Sequence, residues 1–313
     1  MTHRLPVGPF LRAHATTVAV IAAYAATVLI WGTTWLGIKV SLHSLPPVTG
    51  VGLRFVIAGL VLYAMALAFG VNLRKHAPPF HLVAVLALTM FGINYVLTYL
   101  AETHLASGLV AVLFGTLPFF VFGFAHHMVG ERASKRTIVG TILALGGVGV
   151  ISFGGDMRAE LAYIACAVIA SASSGFANVY LKRFADANPL TTLPPAMLLA
   201  GGVLLAWGLG FEHVSWQRAL APQSLEALFY LAVFGSSIAF YLNHWLLQRI
   251  DSGVLGLSAL MIPVLAVGVG ALFGGEVLGV RDVAGALLVT GGIWVALSRS
   301  RKREPEWGME LAA

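Results

Sequence analysis

Ser107–Glu131 reads SGLVAVLFGTLPFFVFGFAHHMVGE, and its only formal charge is the final glutamate. At about 1.5 Å of rise per residue, a helix of this length crosses a hydrocarbon core of roughly 30 Å. Moving 145 positions along the chain gives Ser252–Glu276, SGVLGLSALMIPVLAVGVGALFGGE. The two segments align without a gap: Ser107 on Ser252, Gly108 on Gly253, Pro118 on Pro263, Gly123 on Gly268, Gly130 on Gly275 and Glu131 on Glu276. The same offset sets Gly140 on Gly285, Leu143 on Leu288, Gly146 on Gly291 and Gly147 on Gly292. Apolar, Gly-rich sequence produces chance matches, but not a mid-segment Pro, a Ser-Gly opening and a Gly-Glu close together. The chain holds a duplicated membrane unit.

The paired prolines are the informative members. A mid-helix Pro removes one backbone hydrogen bond, and in lipid the freed carbonyl must be satisfied from within the protein. Pro118 and Pro263 are therefore expected to be hinges of two central helices. Gly108, Gly115, Gly123 and Gly130 form a stripe along which another helix is expected to approach closely.

Composition sets the class. The 313 residues are 58% hydrophobic and 10% charged, with a mean hydropathy of +0.87, whereas soluble domains carry about 25% charge. This is an all-α integral membrane protein. The formal charge of +6 does not imply nucleic acid, because the basic residues lie in short connectors between apolar runs. The single Cys166 sits in an apolar run, so no disulfide is expected. No metal-ligand spacing, phosphate-binding loop or dinucleotide fingerprint occurs, so neither metal nor cofactor is expected. His126 and His127 read as the polar end of a span. Residues 1–30 look like a signal peptide, with Arg4 and Arg12 before apolar sequence, but the apolar run continues to Val40 and reads as a retained first span.

Ten spans are expected, at about 17–38, 48–69, 80–101, 106–128, 137–154, 160–181, 192–210, 224–248, 253–273 and 282–298. Arg4, Arg12, Arg74, Lys75, Arg132, Lys135, Arg136, Lys182, Arg183, Arg249, Arg299, Arg301, Lys302 and Arg303 fall on one side, against Lys39, Arg158, Arg218 and Arg281 on the other. That bias places both termini in the cytoplasm. The organisation is a cytoplasmic segment at 1–16, five-helix repeats at 17–154 and 160–298, and a basic cytoplasmic tail at 299–313. Five is odd, so the copies enter the membrane from opposite sides, as two inverted repeats. The first spans match at a slightly smaller offset: Gly32 on Gly175, Lys39 on Lys182, Pro46 on Pro189. Inverted repeats are a transporter architecture, in which rocking of one half against the other alternates access to a shared site.

Residues 31–40, WGTTWLGIKV, followed by Pro46-Pro47 and by Leu53-Arg54-Phe55, resemble the opening of the drug/metabolite transporter superfamily, in particular its EamA-type members. The Pro118 segment running into GERAS (130–134) and its copy ending GGEVLG (274–279) resemble that family's repeated fourth and ninth helices. The resemblance spans about residues 20–298. It implies a ten-helix, basket-like secondary transporter, often an exporter of amino acids or other small metabolites. One departure concerns the second repeat, where a Trp usually aligns with Trp31. Here Ser174 stands there, which widens the pocket on that side.

Polar groups inside spans are expensive and face a cavity or another helix. In span three, Asn94 and Thr98 share one helix face, and Tyr95 and Tyr99 another. Span eight supplies Ser236, Ser237, Phe240, Asn243, His244 and Gln248, with Thr98 mapping on Asn243 and Tyr99 on His244. Span one adds Trp31, Thr34 and Trp35, and Asn178 lies where Trp35 lies in the first copy. The expected substrate site is Trp31, Thr34, Trp35, Asn94, Tyr95, Thr98, Tyr99, Asn178, Ser236, Phe240, Asn243 and His244; interhelical hydrogen bonding is the alternative use of these groups. Arg54 is about 9 Å into span two by helical rise, where snorkelling to the headgroups is favoured over attraction for a substrate carboxylate. Lys39 and Lys182 read as interfacial anchors.

Glu102, Glu131 and Glu276 fall at span ends, leaving no deep acid, which favours a neutral or zwitterionic substrate. The expected function is a secondary exporter of small metabolites such as amino acids, in the cytoplasmic (inner) membrane. Its partners are the small-molecule substrate, the lipid bilayer and, as coupling ion, protons; it works as a monomer or homodimer. His244 is expected to touch the substrate, so that any pH dependence of transport falls between about 5 and 7. The alternatives are an uncoupled, low-selectivity facilitator and a membrane enzyme acting on lipid or prenyl substrates. The enzyme would show clustered acids for Mg²⁺ or a nucleophile–base pair, and neither is present, so no enzymatic activity is expected.

Overall fold

The computed structural model describes residues 9–105, 107–152, 161–184, 186–262, 264–265 and 279–298, and among these every regular element is helical. In order they are α1 (Pro9–Leu42), α2 (Pro47–Ala68), α3 (Phe80–His104), α4 (Ser107–Phe114), α5 (Leu117–Met128), α6 (Lys135–Ser152), α7 (Leu161–Lys182), α8 (Pro189–Phe211), the short α9 (Trp216–Ala219), α10 (Pro222–Leu247), α11 (Ser252–Ile262) and α12 (Val280–Leu297). Among the described residues six helices, α1, α2, α3, α7, α8 and α10, are long and apolar enough to cross a membrane. The protein is a multi-pass membrane protein.

Local sequence explains the boundaries. Pro47, Pro189 and Pro222 open their helices, where a missing N–H leaves nothing unpaired. Asn188 adds a side-chain cap, accepting from Leu190 N at 2.9 Å. Gly70 (φ +65°) ends α2 in the left-handed region, and Val71 N donates back to Ala66 O at 2.9 Å. Gly130 (φ +73°) follows α5 in the same conformation and turns the chain so that Glu131 faces the start of α11.

Span four, expected as one kinked helix, is two: α4 and α5 with a turn at Gly115–Thr116. Pro118 is the second residue of α5, where its ring is tolerated, so the chain breaks rather than bends. The carbonyl that the missing N–H would have engaged is that of Phe114, and Ser171 Oγ from α7 donates to it at 3.2 Å. Thr116 Oγ1 lies 3.2 Å from the same Ser171 hydroxyl. Pro263, the second expected hinge, lies outside the described residues. Ser171→Ala orphans the Phe114 carbonyl and is expected to cost about 1–3 kcal/mol. Pro118→Ala supplies an N–H for that carbonyl, so the double substitution should recover part of the loss in a thermal-unfolding cycle. Additive losses would show that Ser171 acts elsewhere.

Two glycines of the expected stripe make no close helix approach. A Cβ on Gly123 would meet nothing within 4 Å, and Gly130 terminates a helix. The tight seams are α2 against α8 and α6 against α12. A Cβ on Gly52 would lie 2.5 Å from Leu205 N, on Gly201 2.6 Å from Val56 N, and on Gly208 2.9 Å from Thr49 N. Numbers rise on one helix as they fall on the other, so the pair is antiparallel. In the second seam a Cβ on Gly140 would lie 2.4 Å from Gly292 O, and one on Gly147 2.7 Å from Gly285 O. Gly285 is the copy of Gly140 and Gly292 the copy of Gly147. Each glycine thus meets the copy of the other, the exchange that a two-fold axis between the copies demands. Small residues permit this backbone contact in lipid, where no hydrophobic effect drives helices together.

The two halves also interlock elsewhere. The first helix of the first copy, α1, packs on α10 of the second, while its counterpart α7 packs on α3. Between these helices lies an apolar core that includes Phe55, Phe91, Tyr99, Met197 and Phe240.

Candidate functional site

A cleft lies between the two halves, walled by α1, α3, α7, α10, α11 and the broken α4–α5 unit. Of the twelve expected residues, Trp31, Thr34 and Trp35 line it from α1, Asn94, Tyr95 and Thr98 from α3, Asn178 from α7, and Phe240 and Asn243 from α10. The first copy also contributes Phe114, Leu117 and Val121, and the second Ser174, Ser252 and Ser258. Ser174, where the resemblance leads one to expect a Trp, does line the cleft. The serines of α11 were missed because that segment was read for its proline and glycines. Ser252 and Ser258, six residues apart on either side of a turn at Leu257, both line the cleft.

Amides organise one wall. Asn243 Nδ2 donates to Asn178 Oδ1 at 2.8 Å, and Asn178 Nδ2 donates to Ser174 O at 2.9 Å, so both amides are fixed. Asn94 Nδ2 donates to Met90 O at 3.2 Å, while its Oδ1 is buried with no partner. Trp31 Nε1 is likewise buried without an acceptor. Aromatic rings form the other wall. Phe240 stands edge-on to Trp31 at 5.6 Å, to Tyr95 at 6.1 Å and to Phe91 at 5.0 Å between centroids. Trp35 meets Phe114 at 5.8 Å. None of the described residues lining the cleft carries a formal charge.

Two π-helical stretches lead into the site. Ala87–Ile93 runs directly into Asn94 and Tyr95 in α3, and Val233–Ile238 leads into Ala239 and Phe240 in α10. With the 145-residue offset, residues 88–93 fall on 233–238, so the irregularity belongs to the duplicated unit. A π-turn widens the helix, shifts every following side chain around the axis, and is common at functional sites. Serine hydroxyls occupy the loosened ladder in α10: Ser236 Oγ donates to Leu231 O at 2.9 Å, and Ser237 Oγ lies 3.0 Å from Ala232 O.

Arg54 corrects the snorkelling expectation. It is 1% exposed and points into the protein. Nε donates to Ser236 Oγ at 2.8 Å, Nη2 to Gly235 O at 3.2 Å and Nη1 to Tyr99 OH at 3.4 Å. The guanidinium carbon lies 4.6 Å from the Tyr95 ring centroid. Height along a helix does not reveal which way a side chain points, and here α10 offers a carbonyl and a hydroxyl at the right depth. Tyr99 and Ser236, expected on the pathway, therefore serve Arg54 behind the wall of the cleft. His244 is also absent from the wall. It is the copy of Tyr99, is 0% exposed, and has no partner on either ring nitrogen. Its neighbour Asn243 faces the cleft, and adjacent helical residues point about 100° apart.

The lysines do more than anchor. Lys39 Nζ donates to Glu102 O at 3.0 Å, and Lys182 Nζ donates to Leu247 O, the copy of that position, and to Ile250 O at 2.7 Å. Each ammonium thus caps the C-terminus of a helix from its own half, where the helix dipole favours a cation. Lys182 Nζ is also 4.0 Å from Glu131 Oε1. Glu131 Oε2 accepts from Ser252 N at 2.9 Å and lies 2.5 Å from Ser252 Oγ. Glu102, read as an end residue, sits two positions before the end of α3 and is nonetheless 0% exposed. His126 and His127 are exposed in the last turn of α5. Glu276 lies outside the described residues.

Apolar helices from two interlocked copies, enclosing a cleft with amide, hydroxyl and aromatic walls, define a membrane transport protein. The chain belongs to the EamA-like transporter family, whose model matches residues 18–153 and again 161–298. It is 30% identical over 263 residues to the uncharacterized inner membrane transporter YedA of Escherichia coli K12, covering 82% of this chain and 83% of that one. It is 27% identical to the uncharacterized transporter YoaV of Bacillus subtilis 168, covering 89% and 96%. A probable amino-acid metabolite efflux pump of Salmonella typhimurium is 25% identical, covering 88% and 94%. A solved crystal structure shares the fold at a TM-score of 0.78 and 22% identity, covering 90% of this chain and 96% of that one.

Proposed function

We propose that this transporter exports small neutral or zwitterionic metabolites, amino acids among them, across the cytoplasmic membrane by alternating access. The architecture of this proposal is ten spans in two inverted five-helix repeats, 17–154 and 160–298, with 1–16 and 299–313 in the cytoplasm. The observation that carries it is the cleft itself, which both copies wall and whose described lining has hydrogen-bonding groups but no formal charge. The antiparallel, copy-exchanged α6–α12 glycine seam fits the symmetry that a rocking mechanism requires. The Salmonella relative, named as an amino-acid metabolite efflux pump, supports the choice of cargo. The substrate contacts proposed are Trp31, Thr34, Trp35, Asn94, Tyr95, Thr98, Asn178, Phe240 and Asn243, with Tyr99, Ser236 and His244 shaping the site from behind.

One observation favours a second reading, the uncoupled facilitator. The described lining contains neither a carboxylate nor a histidine to carry a coupling proton. Uptake of a labelled amino-acid panel into inverted vesicles, with and without an imposed pH gradient, separates the two. The exporter accumulates substrate only with the gradient; the facilitator equilibrates it in both cases; no uptake of any panel member refutes both. In a Cys166→Ser background, Arg303→Cys should react with an impermeant reagent in inverted vesicles and Ser215→Cys in intact cells. The reverse pattern would overturn the orientation.

A further inference from the structure

We infer that Arg54 holds the cleft at a positive potential from behind its wall, and that the cargo carries a carboxylate set against the Thr34–Tyr95 side. This rests on the transport reading above and specifies the chemistry of what is transported. Three observations combine. First, the guanidinium is buried and all three of its hydrogen bonds end on neutral oxygens: the Ser236 hydroxyl, the Gly235 carbonyl and the Tyr99 hydroxyl. Among the described residues no carboxylate pairs with it. A buried charge is costly unless compensated, and here the compensation comes only from dipoles and a ring face.

Second, almost nothing separates that charge from the cleft. Tyr95 lines the cleft, and its ring centroid is 4.6 Å from the guanidinium carbon. Thr34 also lines it, and a Cβ placed on Gly235 would be 2.8 Å from Thr34 Cγ2 and 3.2 Å from Arg54 Nη2. Gly235 is therefore the thin spacer between threonine and guanidinium. Third, the described walls hold no formal charge of their own to set against that of Arg54. An anionic group on the cleft side of Tyr95 sits roughly 8 Å from the guanidinium, and at an effective dielectric of about 20 is favoured about 30-fold over a neutral one. A zwitterion fits better than a simple anion. Asn94, the residue beside Tyr95, has a buried Oδ1 with no partner, ready to accept from an ammonium. An organic cation without a carboxylate meets only repulsion.

The test compares acids with their carboxamides, which keep the ammonium and lose the carboxylate. The probes are L-leucine against L-leucinamide and L-phenylalanine against L-phenylalaninamide, titrated calorimetrically into the full-length protein in nanodiscs. Wild type should bind at least one acid, about 10- to 30-fold more tightly than its amide. Arg54→Gln keeps a donor for Ser236 but loses the charge, so the ratio should fall towards one, with the acid bound more weakly and the amide, freed of repulsion, bound at least as tightly as before. Arg54→Lys keeps the charge, and with it the ratio. A purely structural role would weaken acid and amide together in both variants. Should Arg54→Gln fail to fold, the wild-type ratio and Arg54→Lys decide. An amide bound as tightly as its acid in wild type, or a ratio unmoved in Arg54→Gln, overturns this inference alone. Binding of neither acid overturns the amino-acid cargo as well.

Discussion

Gly140→Leu and Gly292→Leu are each expected to eliminate the folded protein. In the α6–α12 seam a Cβ on Gly140 would stand 2.4 Å from both Ala296 N and Gly292 O, and one on Gly292 would stand 2.5 Å from Ala144 N. Those neighbours are backbone atoms, so no rotamer change relieves the overlap and the helices must separate. Overpacking typically costs about 1–3 kcal/mol when side chains can shift; a rigid seam lies at or above the top of that range. Gly140→Ala should therefore lower the melting temperature measurably, and Gly140→Leu should abolish the monodisperse peak in size-exclusion chromatography. The controls lie in the same two helices. Gly146 and its copy Gly291 would meet nothing within 4 Å, and helical Gly→Ala gains up to about 1 kcal/mol of propensity. Gly146→Ala and Gly291→Ala should be neutral or stabilising. Equal damage from all four positions would mean that the seam is not what needs the glycines.

These glycines show what sequence reading reaches and where it stops. Their recurrence at one offset, with the Ser-Gly opening and Gly-Glu close, exposed a duplication because membrane sequence rarely repeats such details by accident. It did not show which glycines face a neighbour: Gly123 points into open space while Gly140 sits against backbone. The cleft was legible for a different reason. Asn94, Thr98, Asn178 and Asn243 are costly in a span, so their presence alone marks a polar interior. The π-helical stretches left no such trace. A change from one backbone ladder to another alters no residue type, yet it rotates Asn94, Tyr95 and Phe240 relative to the helix below. Arg54 escaped similarly, because its depth was computable but its partners, Gly235 and Ser236, lie 181 and 182 residues away.

Removing the Glu131 carboxylate is expected to open the cleft on the side of residues 131–136, the side read as cytoplasmic. Glu131 draws together the end of α5, the end of α7 through Lys182, and the start of α11 through Ser252, while Lys182 binds the end of α10 at Leu247 and Ile250. Ser252 is itself part of the cleft wall, so this cluster sits where the cavity meets that surface. Hydrogen bonds to charged groups contribute about 1.5–3 kcal/mol each, less where partly solvated as here. If alternating access separates these helix ends, the cluster exists in one state only. Losing about 2.7 kcal/mol then shifts the balance of states about 100-fold. Glu131→Ala should make that shift; Glu131→Gln keeps an acceptor for Ser252 N but forfeits the attraction to Lys182, and should shift it less. The readout is Ser258→Cys, a cleft-wall position, labelled by an impermeant maleimide in inverted vesicles with Cys166→Ser as background. Labelling should accelerate in the order wild type, Glu131→Gln, Glu131→Ala, with transport slowed in the same order as one state becomes overpopulated. Unchanged labelling in Glu131→Ala would reduce the cluster to a helix cap and leave the closure of that side to the apolar contacts around Val121 and Leu255.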